Sequence, residues 1–498
     1  MVPGRLPSTV APLIVGGTTV LFGYLTTGAI ENDHFVMLAR AFQVLYGDWP
    51  VRDFEDPGQP LAYFVSTAAA WLFGPTLLVN VVLSLLFLGV TSAVTYLLAR
   101  RATGSEAAGL LAALVTVAVR PRLYNTTKVI VPVVAMSLAW MYADRASVRR
   151  LLGPAAWTAV AFLLRHDYIV YVAAANVVLL IVHHRAAPSD ALRRVVVYSA
   201  LVLLFVAPWL LYVQHEEGLR DYFTSALRFT VAEGRRTAGV PTAASLGLLA
   251  IPVVGLLVAT QEGTPLTSAQ LASTGVLVLL MDLVFVRDVV GTRLPDVVAA
   301  TSVLVAGICG RLVPRRIIAR LSALTVAAVV LVAAVYAAPN VTALDVTRQF
   351  GRVTHRLASE SPEIQPDPVL APLVAFLGRC TQPSSRVLVG GFGPEIPVLA
   401  HRAFASGLPA WIPGYYDDAR DVSRALTRLN RERVGAIVML DRPEMFARSW
   451  PGIDEWIRQH GFEEYAVPSI DTGLRILLPR QPATSTIDRE TNLPCEAR

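Results

Sequence analysis

The chain has 498 residues, of which 54% are hydrophobic and only 16% charged, with a mean hydropathy of +0.52. Soluble globular proteins carry about 25% charged residues, so this composition excludes a protein that is soluble throughout, and it excludes an intrinsically disordered chain. A net charge of +6 could suit nucleic acid, but in so apolar a chain basic residues mark cytoplasmic loops, and no nucleic-acid partner is expected.

Taken in chain order, apolar windows fall near 9–30, 77–99, 104–119, 128–143, 151–164, 168–184, 195–213, 242–260, 270–286, 296–313 and 321–338. A membrane-spanning helix needs about 17–25 such residues, so these predict a polytopic α-helical membrane protein of about eleven spans over residues 1–339. Several windows are short, and 151–164 is the weakest. The first lacks an Ala-x-Ala cleavage site and a strongly basic start, so it reads as a retained signal anchor.

Arginine placement gives the threading. With a cytoplasmic N-terminus, the inner connections hold Arg100 and Arg101, then Arg145, Arg149 and Arg150, then Arg185, Arg193 and Arg194, and finally Arg311, Arg315, Arg316 and Arg320. This positive-inside pattern predicts a multi-pass protein of the inner (plasma) membrane. It places the chain beyond about residue 340 outside the cytoplasm. The opposite side receives the long loop 31–76, the segment 120–127 (RPRLYNTT), the corner Arg165-His166-Asp167, and loops 214–241 and 287–295 with Arg287 and Arg293. Charge at membrane depth is costly unless it faces a cavity or a partner. These clusters therefore suggest a shared outward-facing site, although each also fits an ordinary solvated loop end. Lys128, the sole lysine, lies four residues after Tyr124 and could contact phosphate or snorkel to the interface. Asp282 sits near the outer end of its window, as a functional acid or as a partner for Arg287 or Arg293.

Residues 340–480 read as a small extracytoplasmic α/β domain, with strands at 386–391, 434–440 and 474–478 and helices at 368–379, 419–432 and 452–460. Residues 481–498 read as a disordered tail. Cys309, Cys380 and Cys495 have no metal-ligand spacing, and only Cys380 and Cys495 could pair outside the membrane.

The first outward loop carries the most chemistry. Glu31 and Asp33 open a stretch whose apolar positions from Phe35 to Leu45 repeat at helical spacing, as in an interfacial helix. The acids Asp53, Glu55 and Asp56 follow, and 61–74 reads as a second interfacial helix. Asp33 could simply cap the first helix, and Asp56-Pro57-Gly58 is strong turn chemistry.

The stretch Glu31-Asn32-Asp33 with Ala39-Arg40, then Gly47-Asp48-Trp49-Pro50, Arg52-Asp53-Phe54 and Asp56-Pro57-Gly58-Gln59-Pro60-Leu61 resembles the GT-C superfamily of polyprenyl-phosphate-sugar glycosyltransferases. That superfamily includes the protein mannosyltransferase, lipid A aminoarabinose transferase and bacterial RgtA/B/C/D-like families. Aligned on Ala39-Arg40, Glu31 takes the place of the family's first acid and Asn32 that of its second, which departs from the usual Asp-Glu pair. The resemblance implies an inverting sugar transfer on the outer membrane face, from a polyprenyl-phosphate-linked donor to a glycan, lipid or protein acceptor. Glu31 or Asp33 would be the general base. Substrate would be bound by Asp53, Asp56, Arg120, Arg122, Tyr124, Lys128, Arg165, His166, Asp167, Arg287 and Arg293. No cofactor is implied beyond the lipid-linked donor, and metal dependence varies within the superfamily. Two rival readings fit the same pattern of spans: a lipid or solute transporter, and a non-catalytic envelope assembly factor on the same fold.

Overall fold

The structure, a computed structural model, describes residues 10–27, 30, 32–237, 243–261, 265–286, 290–313, 323–328, 330, 351, 370–440, 443–466, 474–480 and 486–496. Glu31 and Arg287 lie outside the described residues, as does most of 314–369. The chain divides into two compact units. The first is Met1–Thr27, Val81–Tyr212 and Gly234–Pro362, and the second is Gly28–Asn80, Val213–Glu233 and Glu363–Arg498.

The apolar windows become helices: α1 (Val10–Thr26), then after α2 (Asn32–Leu45) and α3 (Pro60–Phe73), α4 (Leu77–Thr103), α5 (Glu106–Ala118), α6 (Thr126–Asp144), α7 (Val148–Leu164), α8 (Asp167–His183), α9 (Pro188–Glu216), α11 (Ala243–Thr260), α12 (Pro265–Asp282) and α13 (Val290–Leu312). Of the eleventh window only 323–328 and 330 are described, and these are helical. Among the described residues four helical stretches are long and apolar enough to cross a membrane: Leu77–Thr103, Leu123–Asp144, Pro188–Glu216 and Arg293–Leu312. The others are shorter. The 13 residues of α5 rise about 20 Å, less than the ~30 Å of a hydrocarbon core.

Within the first unit the helix ends sort by side. The C-terminal ends of α4 and α6 meet through Arg101 and Asp144. The ends of α6, α8 and α9 meet where the Tyr142 hydroxyl lies 3.0 Å from His184 Nε2 and accepts from Arg194 Nη1 at 3.1 Å. Asp190 accepts there from Arg193 and Arg194, both at 2.7 Å. Arg100, Arg101, Arg193 and Arg194 thus share one end, as the basic pattern of the sequence requires. Serine side chains start two of the helices at this end: Ser105 accepts from Ala108 N and Ser147 from Arg150 N. Deeper in, a polar knot joins α7, α8 and α9: Thr158 Oγ1 is 2.7 Å from the Tyr198 hydroxyl, to which Asn176 Nδ2 donates at 3.1 Å. Away from water such side chains find partners across helices. Helices α1 and α4 cross closely at Gly16 and Gly89, where a Cβ on Gly89 would come within 2.9 Å of the Gly16 carbonyl oxygen.

The second unit is built on a four-stranded sheet of β1 (Arg386–Gly390), β2 (Val434–Met439), β4 (Arg475–Pro479) and β3 (Phe462–Ala466), in that spatial order. Strands β1 and β2 are parallel, and the other pairs are antiparallel. All of β2 is buried, which explains its unbroken apolar sequence. Ala436 and Val438 face a core with Leu373, Phe376 and Leu377, while Ile437 and Met439 face Trp411, Trp450 and Trp456. Strand β3, absent from the sequence expectation, carries the adjacent charges Glu463 and Glu464 at the sheet edge.

The segment Gly28–Asn80, between α1 and the body of α4, belongs to this same unit. The Gln43 side chain clamps the backbone of Phe404, donating to its carbonyl at 3.0 Å and accepting from its N–H at 3.1 Å. Arg386 grips Asp48 through two bonds of 2.7 and 3.0 Å. Phe35, Leu38, Phe42, Phe54 and Tyr63 of α2 and α3 share a core with Val398 and Phe404. The described residues 370–480 therefore pack as one unit with α2 and α3 and not as a module of their own.

Two further expectations change. The segment read as loop 214–241 is mostly helix: α9 runs to Glu216, and α10 follows as Leu219–Thr237. Gly218 makes the turn between them at φ 90°, a conformation glycine tolerates. Residues 486–496, inside the stretch read as a disordered tail, are packed. Leu493 is buried, Cys495 is joined to Cys380, and Glu496 accepts from Gln382 N and Ser385 Oγ. A disulfide and a buried leucine supply the anchoring that composition alone did not reveal.

Candidate functional site

Each unit carries a polar centre. In the first unit it lies where α6 and α13 begin and α7 turns into α8. Lys128 Nζ donates to Asp296 Oδ2 at 3.0 Å, and Asn125 Nδ2 donates to the same oxygen at 3.3 Å. Arg293 reaches within 3.9 Å of that oxygen. The other oxygen, Asp296 Oδ1, is buried and among the described residues has no hydrogen-bond partner. Arg165 and Arg293 are both near enough to act electrostatically on Lys128. The Tyr168 hydroxyl ties the corner to α6 by donating to the Lys128 carbonyl at 3.2 Å. The tight Arg165-His166-Asp167 corner holds its own ion pair, Arg165 Nε to Asp167 at 2.8 and 3.0 Å, while the His166 ring stacks on Phe162 at 4.2 Å. Three cations here outnumber the two carboxylates Asp296 and Asp167. Largely buried, they form a cluster with an excess of positive charge, chemistry that suits an anion.

Of the other residues expected here, Arg122 donates to the Tyr124 hydroxyl at 2.6 Å and lies over its ring, so the two pair with each other. Arg120 is exposed in a left-handed turn at φ 53°. Asp296 opens the apolar window 296–313, and a charge at a window end is the local signal that marks it, as it marks Asp282. Asp282 is buried, and among the described residues neither of its oxygens has a hydrogen-bond partner.

The second centre joins the α2–α3 loop, α10 and the helix Ala419–Leu429. Asp56 is a structural acid. Its Oδ1 accepts from Gly58 N and Gln59 N at 2.9 Å and from the Tyr63 hydroxyl at 3.2 Å, and its Oδ2 from the Tyr222 hydroxyl at 2.6 Å. These bonds close the turn before α3 and tie it to α10, so the turn reading of Asp56 accounts for every oxygen. Asp53 likewise holds a local turn, accepting from Trp49 N at 2.8 Å and from Arg52 at 2.7 and 2.9 Å. Partial burial would raise its carboxyl, but the Arg52 and Trp49 hydrogen bonds outweigh that and hold it below the usual range.

Glu55, which the sequence presents only as part of a turn, lies at the heart of this centre. Its Oε1 accepts from Ser225 Oγ at 2.8 Å, and its Oε2 lies 3.8 Å from Arg424, which itself binds Glu217 at 2.6 Å. Burial and the neighbouring Glu217 push the Glu55 carboxyl above its ordinary value. Arg420 reaches Asp221 at 2.9 Å, and Arg228 pairs with Asp418. Asp421 is raised to about 7 by burial and then by Glu55 and Asp418. Arg40, of the Ala-Arg pair, is buried with Nε donating to the Glu55 carbonyl at 3.0 Å, so its role is to shape this loop.

At the start of α2, Asp33 is exposed in the first turn, and among the described residues it makes no hydrogen bond or ion pair. It is free to act on a ligand. Beside it, His34 is buried with neither ring nitrogen bonded, and burial lowers its pKa to about 4. Among the described residues no group of three or more His, Cys, Asp or Glu side chains could hold a metal ion.

Comparison with known proteins follows this geometry. The family model for dolichyl-phosphate-mannose-protein mannosyltransferases matches residues 56–212, a stretch that includes Lys128 and the Arg165 corner. Among solved structures, the crystal structure of ArnT from Cupriavidus metallidurans bound to undecaprenyl phosphate superposes with a TM-score of 0.56 at 13% identity, covering 94% of this chain and 97% of that one. The two share a fold. No curated protein matches the sequence.

Proposed function

We propose that the chain is a membrane glycosyltransferase of the GT-C type, and that it transfers a sugar from a polyprenyl-phosphate donor to a cell-envelope acceptor on the outer face of the membrane; the mannosyltransferase family match over residues 56–212 and the shared fold support this reading. The observation that carries this reading is the buried cluster of Lys128, Arg165 and Arg293 around Asp296. A lipid-linked phosphate there would balance the positive charge that the two carboxylates Asp296 and Asp167 leave over, and the same cations would stabilise negative charge on the departing phosphate. That the similar structure contains undecaprenyl phosphate supports a polyprenyl lipid as the carrier. The base would be Glu31 or Asp33, taking the acceptor hydroxyl proton as the new glycosidic bond forms with inversion. The Cys380–Cys495 disulfide supports an oxidising, extracytoplasmic setting for the C-terminal residues, in line with the arginines gathered at one end of the first unit.

The test is transfer by the purified protein from polyprenyl-phosphate mannose to envelope extracts, with Glu31→Gln and Asp33→Asn as variants. Transfer by the wild type that is lost in at least one variant supports the reading. Full activity in both removes the assigned base, and no transfer with any polyprenyl-phosphate sugar removes the enzyme.

A further inference from the structure

His34 stands where the pattern of α2 asks for a leucine. It leads the buried face that continues through Leu38 and Ala41, both 0% exposed, and is itself 1% exposed. Among the described residues neither Nδ1 nor Nε2 has a hydrogen-bond partner. A buried imidazole left unbonded is costly, and an aliphatic side chain would fill the same space without that cost. Such an orphan is explained by a partner that arrives with the ligand. The place is suggestive too: Asp33 precedes it directly, in the first turn of the helix.

The state of the ring says what kind of partner it suits. Burial keeps it neutral, with a pKa near 4, so at physiological pH it offers one N–H donor and one lone pair. A phosphate or carboxylate, which only accepts, would prefer a cation and could use one nitrogen at most. A sugar hydroxyl both gives and receives a hydrogen bond, which matches a neutral imidazole.

We propose that His34 is a substrate-recognising residue that reads a hydroxyl group of the transferred sugar or of the acceptor. This rests on the glycosyltransferase reading above. The bound hydroxyl restores the bond that the imidazole lacks in the free protein, so the recognition energy is directed at the sugar and not at its lipid phosphate.

The experiment compares binding of polyprenyl phosphate with binding of polyprenyl-phosphate mannose, and measures KM for donor and acceptor, in wild type, His34→Leu and His34→Gln. The expected result is that Leu leaves affinity for the bare lipid phosphate unchanged and weakens the sugar-bearing lipid about tenfold to a hundredfold, the worth of one or two hydrogen bonds. Gln, which keeps a donor and an acceptor, recovers part of the loss. Wild-type affinity for the sugar-bearing lipid stays level from pH 6 to 8. A rise confined to the acceptor KM also supports the proposal and assigns the hydroxyl to the acceptor. Equal weakening of both lipids, no change in any constant, or Leu and Gln variants that behave alike overturn it. If the wild type binds neither lipid, the glycosyltransferase reading falls and takes the role of His34 with it.

Discussion

Lys128 Nζ lies 3.0 Å from Asp296 Oδ2, joining the start of α6 to the start of α13 across 168 residues of chain. The lone lysine is thereby held at a helix end by an acid that also receives Asn125 and faces Arg293, and the acid keeps one oxygen unpaired. The pair is a mount for a cation and leaves the site positive overall.

Lys128→Met is therefore expected to weaken polyprenyl-phosphate binding by about tenfold to a hundredfold, the worth of a charge-assisted hydrogen bond, while the protein stays folded. Asp296→Asn keeps the shape and removes the charge that orients the lysine, so it should reduce transfer with little loss of lipid affinity. Lipid binding measured on purified variants decides both. Unchanged binding in Lys128→Met would remove the lysine from the phosphate site.

Asp421 predicts a pH dependence of stability. Its carboxyl is raised to about 7, against about 4 for an unfolded chain. Below about 4 it is neutral in both states. Between about 4 and 7 the unfolded chain ionises it and the folded protein does not, so stability falls as pH rises through that window and levels off above it. Glu55, raised by burial and Glu217, acts in the same direction. Asp421→Asn should lessen the fall and raise the melting temperature at pH 8, with little change near pH 4.5. A melting curve series from pH 4.5 to 8 that is identical in the variant would refute this.

The parts of this architecture that were legible in the sequence rest on local periodicity. The unbroken apolar runs, the short helices α2 and α3, and strands β1, β2 and β4 each announce themselves within about twenty residues. The centres did not, because they rest on pairs remote in sequence. Glu55 and Asp56 look alike in the turn Glu55-Asp56-Pro57-Gly58, yet only Asp56 spends an oxygen on that turn, its other oxygen accepting from Tyr222, while Glu55 turns to Ser225 and Arg424. Nothing local separates them. Helix α10 was hidden for another reason. Its charged residues, Arg220, Asp221, Arg228 and Glu233, lower its hydropathy, so a reading tuned to membrane spans passes over it as loop. Strand β3 carries Glu463 and Glu464 on the sheet edge, where charge guards against further pairing and blurs the strand signal.

The grip of Arg386 on Asp48 predicts strong coupling between the α2–α3 loop and the sheet. The two bonds are 2.7 and 3.0 Å, both side chains are largely buried, and Asp48 Oδ2 also receives Gln43 Nε2 at 2.7 Å. Either Asp48→Ala or Arg386→Ala leaves a charge without its partner, whereas the double variant removes both. A double-mutant cycle on thermal unfolding should give a coupling of about 1–3 kcal/mol. A coupling near zero would mean that the loop is held by its apolar core of Phe54, Tyr63 and Phe404 alone.

The disulfide makes the last prediction, because it is a stability element whose existence depends on the compartment. Cys380 and Cys495 are 115 residues apart and join the end of the helix Ala371–Cys380 to the packed strap 486–496. A cross-link closing so long a loop restricts the unfolded chain and is worth about 2–4 kcal/mol. The strap has other holds, Leu493 in the core and Glu496 on Arg433 at 2.7 Å. Replacing both cysteines with serine should thus lower the melting temperature without releasing the fold. The bond also forms only where the environment is oxidising. In intact cells, alkylation of Cys380 and Cys495 should require prior reduction, and a reporter fused after residue 340 should score as extracytoplasmic. Free thiols at both positions together with a cytoplasmic reporter would reverse the proposed orientation, and would place the arginine-rich end of the first unit on the outside, against the direction that membrane insertion favours.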